Sequence, residues 1–327
     1  MKNLPWLPLL LICFLYSSNA QWGYPPTRTV DSSDTYWGRT YPDKYRWLEN
    51  IKSKEVEDWF KAQANLSKSL LDKIAGRDSL VREWMSLDRL KPASYSDITY
   101  EGTRLFYKKT RGGENAGELY YREGWDGQEK LLFDPATFRA GVATTIQSIV
   151  PSFDGKYIAM GLSARGAEVS EIRVLNVDTG KLMPDSIYPS WFGPIGWTMD
   201  NSSFFYFSQK TADNKSPEFE LNTKTKLHKV GTSPAHDVDF FSNESYPDLH
   251  ISPNELPFAS IDETYPDYLF ASLANVRSEM RMYYAPSAQL AKKPIGWKTL
   301  CTVSDSLVRG MEFHGSRAYA VTTKGAP

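Results

Sequence analysis

The chain has 327 residues, with 38 lysines and arginines against 39 aspartates and glutamates and a formal net charge of −1. This balance gives no basis for binding nucleic acid or an anionic membrane surface, so neither is an expected partner. The 10 Trp, 19 Tyr and 16 Phe residues, in an otherwise ordinary apolar content, indicate a globular chain that is rich in β-structure.

The first twenty residues have the pattern of an export signal. Lys2 supplies a positive start, residues 4–16 are apolar, and Ser18-Asn19-Ala20 is a small-x-small cleavage sequence. The apolar run is too short to span a bilayer, and no second apolar segment of ~18 residues follows in the sequence. We therefore expect cleavage before Gln21 and an exported protein, periplasmic or secreted.

The two cysteines indicate a fold without disulfides. Removal of the leader takes away Cys13 and leaves Cys301, so no internal disulfide is expected and packing must hold the chain together. Cys301 follows a strand-like Trp-Lys-Thr-Leu run, where a buried structural thiol is the expectation.

Two helices are predicted after residues 21–50, an irregular segment rich in Pro, Tyr and Trp. The first helix starts at an N-cap on Ser53 and ends at Gly76. The second starts at a cap on Asp78 and is stopped by Pro92. Apolar residues at helical spacing are Val56, Trp59, Phe60, Leu66, Leu70 and Ile74 in the first helix, and Val81, Trp84, Met85 and Leu90 in the second.

After Pro92 the apolar period falls from 3.6 to about 2, which predicts strands. A turn followed by a Tyr- or Phe-rich strand recurs at positions 102, 155, 201, 266 and 315, at intervals of 53, 46, 65 and 49 residues. Repeats of roughly 40–50 residues with several strands each are typical of propeller blades. We favour a propeller over unrelated hairpins in a large β-sandwich, and the long interval predicts an insertion at 211–216.

The stretch Gly161-Leu-Ser-Ala-Arg-Gly166 differs by one residue from the G-x-S-x-G turn that exposes a catalytic serine in α/β-hydrolases. That turn needs a helix after the serine and a small residue where Arg165 stands. Here a strand precedes Ser163, and residues 172–177 form another strand. Ser163 is therefore predicted to be a blade-turn residue and not a nucleophile.

Other catalytic signatures are missing from the sequence. It contains neither a phosphate-binding loop nor a dinucleotide-binding glycine pattern, so no cofactor is predicted. The histidines have no neighbours at metal-ligand spacing, and we predict no metal site and no catalytic residue in this chain. All four are predicted to be surface turn residues: His228, His236, His250 and His314.

Several motifs follow one another between Tyr24 and Phe207. They are Asp34-Thr-Tyr-Trp-Gly38, Tyr41-Pro-Asp-Lys-Tyr-Arg-Trp-Leu-Glu49, Trp59 with Gln63, Leu132-Phe-Asp-Pro135, residues 152–163, and Gly196-Trp-Thr-Met-Asp200. In this order they resemble the prolyl oligopeptidase family, with its D-Y-x-G, D-P-Y-R-W-L-E-D, W-x-x-x-Q-N, L-x-D-P-N, S-x-D-G-x-Y-x-A-Y-G-L-S and A-W-T-x-D motifs. After Phe207 the resemblance is looser.

Two departures from the family pattern stand out. Lys44 takes the place of the usual proline after Asp43. The family's S-x-S-G-S-D-W is here Ser163-Ala-Arg-Gly-Ala-Glu-Val169, without its Ser-Asp-Trp part. This second departure lies on the propeller and concerns contacts to the peptide more than the fold.

The resemblance implies a mainly β fold, with an incomplete propeller after a short helical segment of an α/β-hydrolase domain. Residues 1–20 would be the signal peptide, 21–90 the N-terminal helical segment of the peptidase domain, and 91–327 the first four to five blades of seven. The family's catalytic serine, aspartate and histidine would follow Pro327. The chain is therefore expected to be truncated before the catalytic domain and inactive by itself.

The implied function is that of a serine endopeptidase that cleaves short peptides after proline, with the propeller limiting substrate size. Trp191-Phe192 is similar to the family's K-F-S turn, so Phe192 is the candidate substrate-binding residue. The expected partners are short proline-containing peptides and the missing hydrolase domain. Two alternatives stay open: a non-enzymatic propeller that binds a partner, and a trypsin-like oligopeptidase of the same superfamily.

Overall fold

The computed structural model describes residues 23–315 and 317–325, and these separate into two compact units divided between Val81 and Arg82. The expected leader with Cys13 lies outside the described residues. No helix within the described ranges is both long and apolar enough to cross a membrane.

The first unit begins with a β-hairpin in the segment that was predicted to be irregular. β1 (Ser33–Tyr36) pairs antiparallel with β2 (Arg39–Pro42) across the turn Trp37-Gly38, where φ is 51° and 76°. Two-residue turns with positive φ suit the twist of paired strands. The prediction was wrong because both strands are mostly exposed, so neither carries the apolar alternation that reveals a strand.

Both predicted helices are present, with shifted ends. α1 (Lys54–Leu71) starts at the predicted cap, where the Ser53 hydroxyl accepts a 3.2 Å hydrogen bond from the Glu55 amide. α2 (Arg77–Leu90) starts before Asp78, so that residue lies in the first turn and not at the cap.

The apolar sides of the two helices are only partly covered. Val56 of α1 is buried, but Phe60 is 53% exposed. On α2, Trp84 is 66% and Leu90 is 77% exposed.

The second unit consists of antiparallel sheets in which the strands pair in chain order. Four sheets have four strands each, and a two-stranded hairpin follows them in the described residues. This confirms a mainly β, incomplete propeller of four to five blades. Blade 1 contains β3 (Ala93–Glu101), β4 (Arg104–Arg111), β5 (Glu118–Glu123) and β6 (Lys130–Phe133). Blade 2 contains β7 (Thr144–Pro151), β8 (Tyr157–Ala164), β9 (Ser170–Asn176) and β10 (Lys181–Ser190). Blade 3 contains β11 (Pro194–Trp197), β12 (Ser203–Ser208), β13 (Lys224–Lys229) and β14 (Val238–Phe241). Blade 4 contains β15 (Leu256–Ile261), β16 (Tyr268–Ala274), β17 (Arg281–Pro286) and β18 (Lys298–Cys301). The hairpin contains β19 (Leu307–His314) and β20 (Arg317–Thr322).

The recurring positions found in the sequence lie at the turn between the first and second strands of each blade and of the final hairpin. We call this end of the blades the turn end, and the opposite end, where each first strand begins, the loop end. At the turn end, a Cβ added to Gly102 would lie 2.7 Å from the main-chain oxygen of Asp154. The predicted insertion at 211–216 lies in the loop between β12 and β13.

Two of the family-like motifs form the same hydrogen-bonded turn in successive blades. In blade 2 the Ser152 hydroxyl donates to the Asp154 carboxylate at 2.7 Å and accepts from the Tyr157 amide at 3.0 Å. In blade 3 the Thr198 hydroxyl donates to Asp200 at 2.6 Å and accepts from the Ser203 amide at 3.2 Å. The motif therefore encodes the turn between the first two strands, where a carboxylate satisfies turn donors.

The core lies between consecutive blades, and the second strand of a blade serves two interfaces. In β12, Phe204 and Tyr206 pack toward blade 2, while Phe205 packs toward blade 4. In β8, Ile158 packs toward blade 1 and Ala159 toward blade 3. Because both faces are buried, these strands are apolar almost throughout and do not alternate.

Cys301 is a free thiol at the end of β18 and is 3% exposed, as predicted for a structural cysteine. Burial raises the pKa of this thiol, which keeps it in the neutral form at neutral pH.

Candidate functional site

Phe192 lies at the loop end, in the connection from blade 2 to blade 3. Its side chain is 42% exposed, and its ring centroid lies 4.8 Å from Trp191, 4.9 Å from Phe207 and 5.2 Å from Phe258. The connection between blades 2 and 3, together with β12 and β15, thus supplies one aromatic shelf with an open face. Phe207 and Phe258 were missed by the sequence analysis because nothing in the sequence places them beside Phe192.

Buried hydroxyl groups hold the backbone around this shelf. The Ser190 hydroxyl donates to the main-chain oxygen of Phe207 and accepts from the Gly193 amide at 3.0 Å. The Phe207 amide donates to the Gly193 oxygen at 3.1 Å. Gly193 has φ of 75°, and a Cβ there would lie 2.8 Å from the Ser148 hydroxyl oxygen. The positive φ and this contact both disfavour a side chain at position 193, so Trp191 and Phe192 lie on a closely packed turn.

The loop between β12 and β13 borders the shelf through Phe219, whose ring lies 5.3 Å from Trp191. Two buried acceptors near the ends of this loop, Gln209 Oε1 and Thr223 Oγ1, have no hydrogen-bond partner among the described residues. Because both atoms are buried, the exposed surface of the shelf itself is aromatic.

Ser163 is not at the exposed turn of a nucleophile, and it is not in a blade turn either. It lies inside β8 and is 1% exposed, so the predicted turn location was wrong. Its hydroxyl is 3.0 Å from Thr145 Oγ1 and accepts a 3.0 Å hydrogen bond from Gln147 Nε2. Neither partner can act as a general base, so this serine links β7 to β8.

The prediction that the histidines are surface turn residues is confirmed for His236 and His250. His236 is exposed in a 3-10 turn, and His250 is exposed with a left-handed backbone directly after a second 3-10 turn. His314 is exposed too, at the end of β19. The prediction was wrong for His228, which lies in β13, is fully buried, and has Asp185 and Asp237 at its ring nitrogens. Asp237 follows His228 in the same blade, but Asp185 is 43 residues away in blade 2, so no local motif predicts the pair.

At the turn end, Glu101 of blade 1 is held close to Glu263 of blade 4. Burial and the second carboxylate raise the pKa of Glu101 to about 7, because both disfavour its ionised form. The two residues border a cavity of about 550 Å³ lined by the first strands of the four blades.

The comparisons with known proteins agree with this architecture. The family model that describes the prolyl oligopeptidase N-terminal beta-propeller domain matches residues 25–327. The chain is 25% identical over 306 residues to a prolyl endopeptidase of Elizabethkingia meningoseptica, covering 93% of this chain and 41% of that protein. It is 24% identical over 331 residues to a dual function macrocyclase-peptidase of Galerina marginata, covering 93% and 44%.

Among solved structures, one from a study of two prolyl endopeptidases superposes with a TM-score of 0.71 at 26% identity, over 93% of this chain and 43% of that one. Prolyl oligopeptidase B of Galerina marginata, bound to a 25-residue macrocyclization substrate, gives 0.67 at 25% identity, over 84% and 41%. The chain thus spans about two fifths of the length of these relatives. On its sequence and its blades, it belongs to the prolyl oligopeptidase family and matches that family's N-terminal β-propeller.

Proposed function

We propose that these residues form the propeller part of a serine endopeptidase that cleaves short peptides after proline. The relatives' printed names, prolyl endopeptidase and macrocyclase-peptidase, support this reading, as does the match along nearly the whole chain. The propeller would limit access to the site, so that short peptides enter and large folded proteins do not.

The observation that carries the proposal within this chain is the open aromatic shelf around Phe192. Aromatic faces bind proline rings and apolar side chains well, because they bury area with little loss of side-chain freedom. The ring of Phe192 is held by Trp191, Phe207 and Phe258, so it can receive a peptide without rearrangement.

The catalytic groups would come from an α/β-hydrolase domain outside these residues, with a serine as nucleophile, a histidine as base and an aspartate that orients the histidine. Ser163 is buried among non-basic partners, and both ring nitrogens of His228 are occupied by carboxylates. Neither can therefore serve as nucleophile or base. No cofactor enters the proposed reaction.

The test is Phe192→Ala in the protein expressed by its native host, assayed with a proline-ended chromogenic peptide. Loss of one stacking face should raise KM about tenfold, equivalent to about 1.4 kcal/mol, and leave kcat within about twofold. Trp125→Ala is the matched control, since Trp125 is 66% exposed on the β5–β6 turn, at the turn end. An unchanged KM would contradict the role of Phe192.

The same assay separates the two alternatives. Preference for a peptide that ends in lysine or arginine would indicate a trypsin-like oligopeptidase. No turnover of either peptide by the host's own protein would favour a propeller that only binds.

We also propose that the protein is exported and begins at Gln21 in its mature form. The support is the charged start, apolar stretch and small-x-small sequence of residues 1–20. Mass spectrometry of the N-terminal peptide from the host protein tests this, and retention of residues 1–20 would refute it.

A further inference from the structure

A buried histidine connects blades 2 and 3. His228 of β13 is fully buried, and the side chains of Asp185 and Asp237 are each 1% exposed. The His228 Nε2 atom lies 2.8 Å from Asp185 Oδ1 on β10, and Nδ1 lies 2.7 Å from Asp237 Oδ1 just before β14. One imidazole thus reaches a carboxylate on its own blade and another on the neighbouring blade.

These two contacts determine the protonation of the ring. A neutral imidazole carries one N–H, so one of its nitrogens would direct a lone pair at a carboxylate oxygen less than 3 Å away. Only the imidazolium can donate to both carboxylates at once. The charged ring also offsets two buried negative charges, which would otherwise be costly at this depth.

The surrounding groups favour the same state. The Tyr206 hydroxyl of β12 donates to Asp237 Oδ2 at 2.9 Å, and the Gly231 amide donates to Asp185 Oδ1 at 2.6 Å. Asp185 Oδ2 is buried without a partner in the described residues, so this carboxylate depends on His228 and the Gly231 amide.

The other charged groups nearby belong to the adjoining strands. The Arg173 guanidinium of β9 donates to the main-chain oxygen of Asp185 at 2.7 Å. Asp239 of β14 acts electrostatically on Tyr206 and is itself paired with Lys224 at 2.6 Å. No further base competes for the His228 proton among these groups.

The histidine lies toward the turn end of blade 3, on strands whose other ends lead to the aromatic shelf. Asp185 is on β10, whose last residue, Ser190, precedes Trp191 and Phe192. His228 pairs in register with Phe204 of β12, the strand that ends next to Phe192. We propose that the His228 imidazolium is a proton-dependent latch that joins blades 2 and 3 by holding β10 and β13 together through Asp185.

The latch has a defined pH range. Burial alone lowers the pKa of an imidazole, but the hydrogen bonds to Asp185 and Asp237 outweigh it and raise the pKa of His228 to about 9. The folded pKa is above the unfolded value of ~6.5. The stabilisation is therefore complete below that unfolded value and is lost as the pH rises through about 9.

The test uses the full chain with His228→Gln, and His236→Gln as the matched control on an exposed histidine of the same blade. Glutamine is uncharged and carries its N–H donors on a single nitrogen, so it cannot replace the N–H groups at both ring positions of the imidazolium. The thermal midpoint of the wild type should fall as pH rises through about 9, and the tryptophan emission of the chain should change in the same range. His228→Gln should lower the midpoint at pH 7 by on the order of 5–10 °C and remove the alkaline step. His236→Gln should behave as wild type.

Asp237→Asn keeps the proposal testable if His228→Gln does not fold. Removing one carboxylate should shift the alkaline step toward lower pH, because the imidazolium loses one of its acceptors. Nitrogen NMR shifts of His228 give a direct readout. A neutral tautomer at pH 7 or an alkaline step unmoved in Asp237→Asn would overturn the latch, and none of these readouts depends on peptidase activity.

Discussion

Single side chains at the blade contacts carry most of the unusual chemistry of this chain. His228 and Glu101 both have perturbed pKa values. Burial and Glu263 of blade 4 raise the pKa of Glu101, and Asp185 of blade 2 together with Asp237 raises that of His228. Such shifts belong to the tertiary arrangement, since each depends on a partner from another blade.

The Glu101–Glu263 pair should make stability depend on pH near neutrality. The pKa of Glu101 is raised to about 7, so its contribution is full below the unfolded value of ~4.3 and is lost as pH rises through the folded one. Glu101→Gln keeps the shape and removes the charge. We expect it to stabilise the chain by about 1–2 kcal/mol at pH 8, because solvent partly screens this half-buried carboxylate, and to leave the stability unchanged at pH 4.

Thermal unfolding by circular dichroism at several pH values measures this effect. Glu83→Gln on the exposed side of α2 serves as the control and should follow the wild type. Stability curves of Glu101→Gln and wild type that run parallel from pH 4 to pH 8 would disprove the coupling.

At the scale of elements, the turns of blades 1 and 2 interlock through two glycines. A Cβ on Gly102 would lie 2.7 Å from the Asp154 oxygen, and one on Gly155 would lie 2.7 Å from the Glu101 oxygen. Both residues have positive φ. The Arg104 guanidinium adds a 3.0 Å hydrogen bond to the Gly155 oxygen, so the two turns are tied as well as closely packed.

Gly155→Ala should therefore destabilise the chain by about 2–4 kcal/mol, because it adds both backbone strain and a clash with main-chain atoms that cannot move freely. Gly124→Ala is the matched control, with φ of 66° and open space around its Cβ. Gly124→Ala should lower the free energy of unfolding by about 1 kcal/mol, because it adds backbone strain alone. Equal losses in urea unfolding would show that the turns do not interlock.

At the scale of the whole molecule, the five sheets found in the described part of the second unit do not close into a ring. Apolar side chains are also exposed to solvent. Every residue of β20 is exposed, and among the described residues β20 pairs with β19 alone. Trp84 and Leu90 of α2 are also largely exposed. Open strand edges and exposed apolar side chains both promote association between chains.

We expect Gln21–Pro327, expressed alone, to associate on a sizing column at micromolar concentration. Replacing Trp84 and Leu90 together by glutamate should reduce the associated fraction at least twofold, because it removes apolar contact area. The control is Lys61→Glu, which changes the charge of an exposed residue on α1 and removes no apolar surface of α2. A monodisperse monomer in the unmodified chain would contradict this expectation.

Much of the fold was predictable because its signals are local. Ser53 caps a helix through its own neighbours, and the turn motifs at Asp154 and Asp200 satisfy donors within five residues. Repetition of such turns, each followed by an apolar strand, was enough to identify blades. The hairpin at 33–42 was missed because two exposed strands leave no apolar pattern.

The chain's own residues thus determined the helices, the repeated turns, the propeller class and the family. Only the tertiary structure decided that His228 is buried between Asp185 and Asp237, that Ser163 is hydrogen-bonded inside β8, and that Phe192 has Phe207 and Phe258 beneath it. The physical reason is distance along the chain. Turns and strand patterns arise from neighbouring residues, whereas these sites form where side chains from separate strands or blades meet.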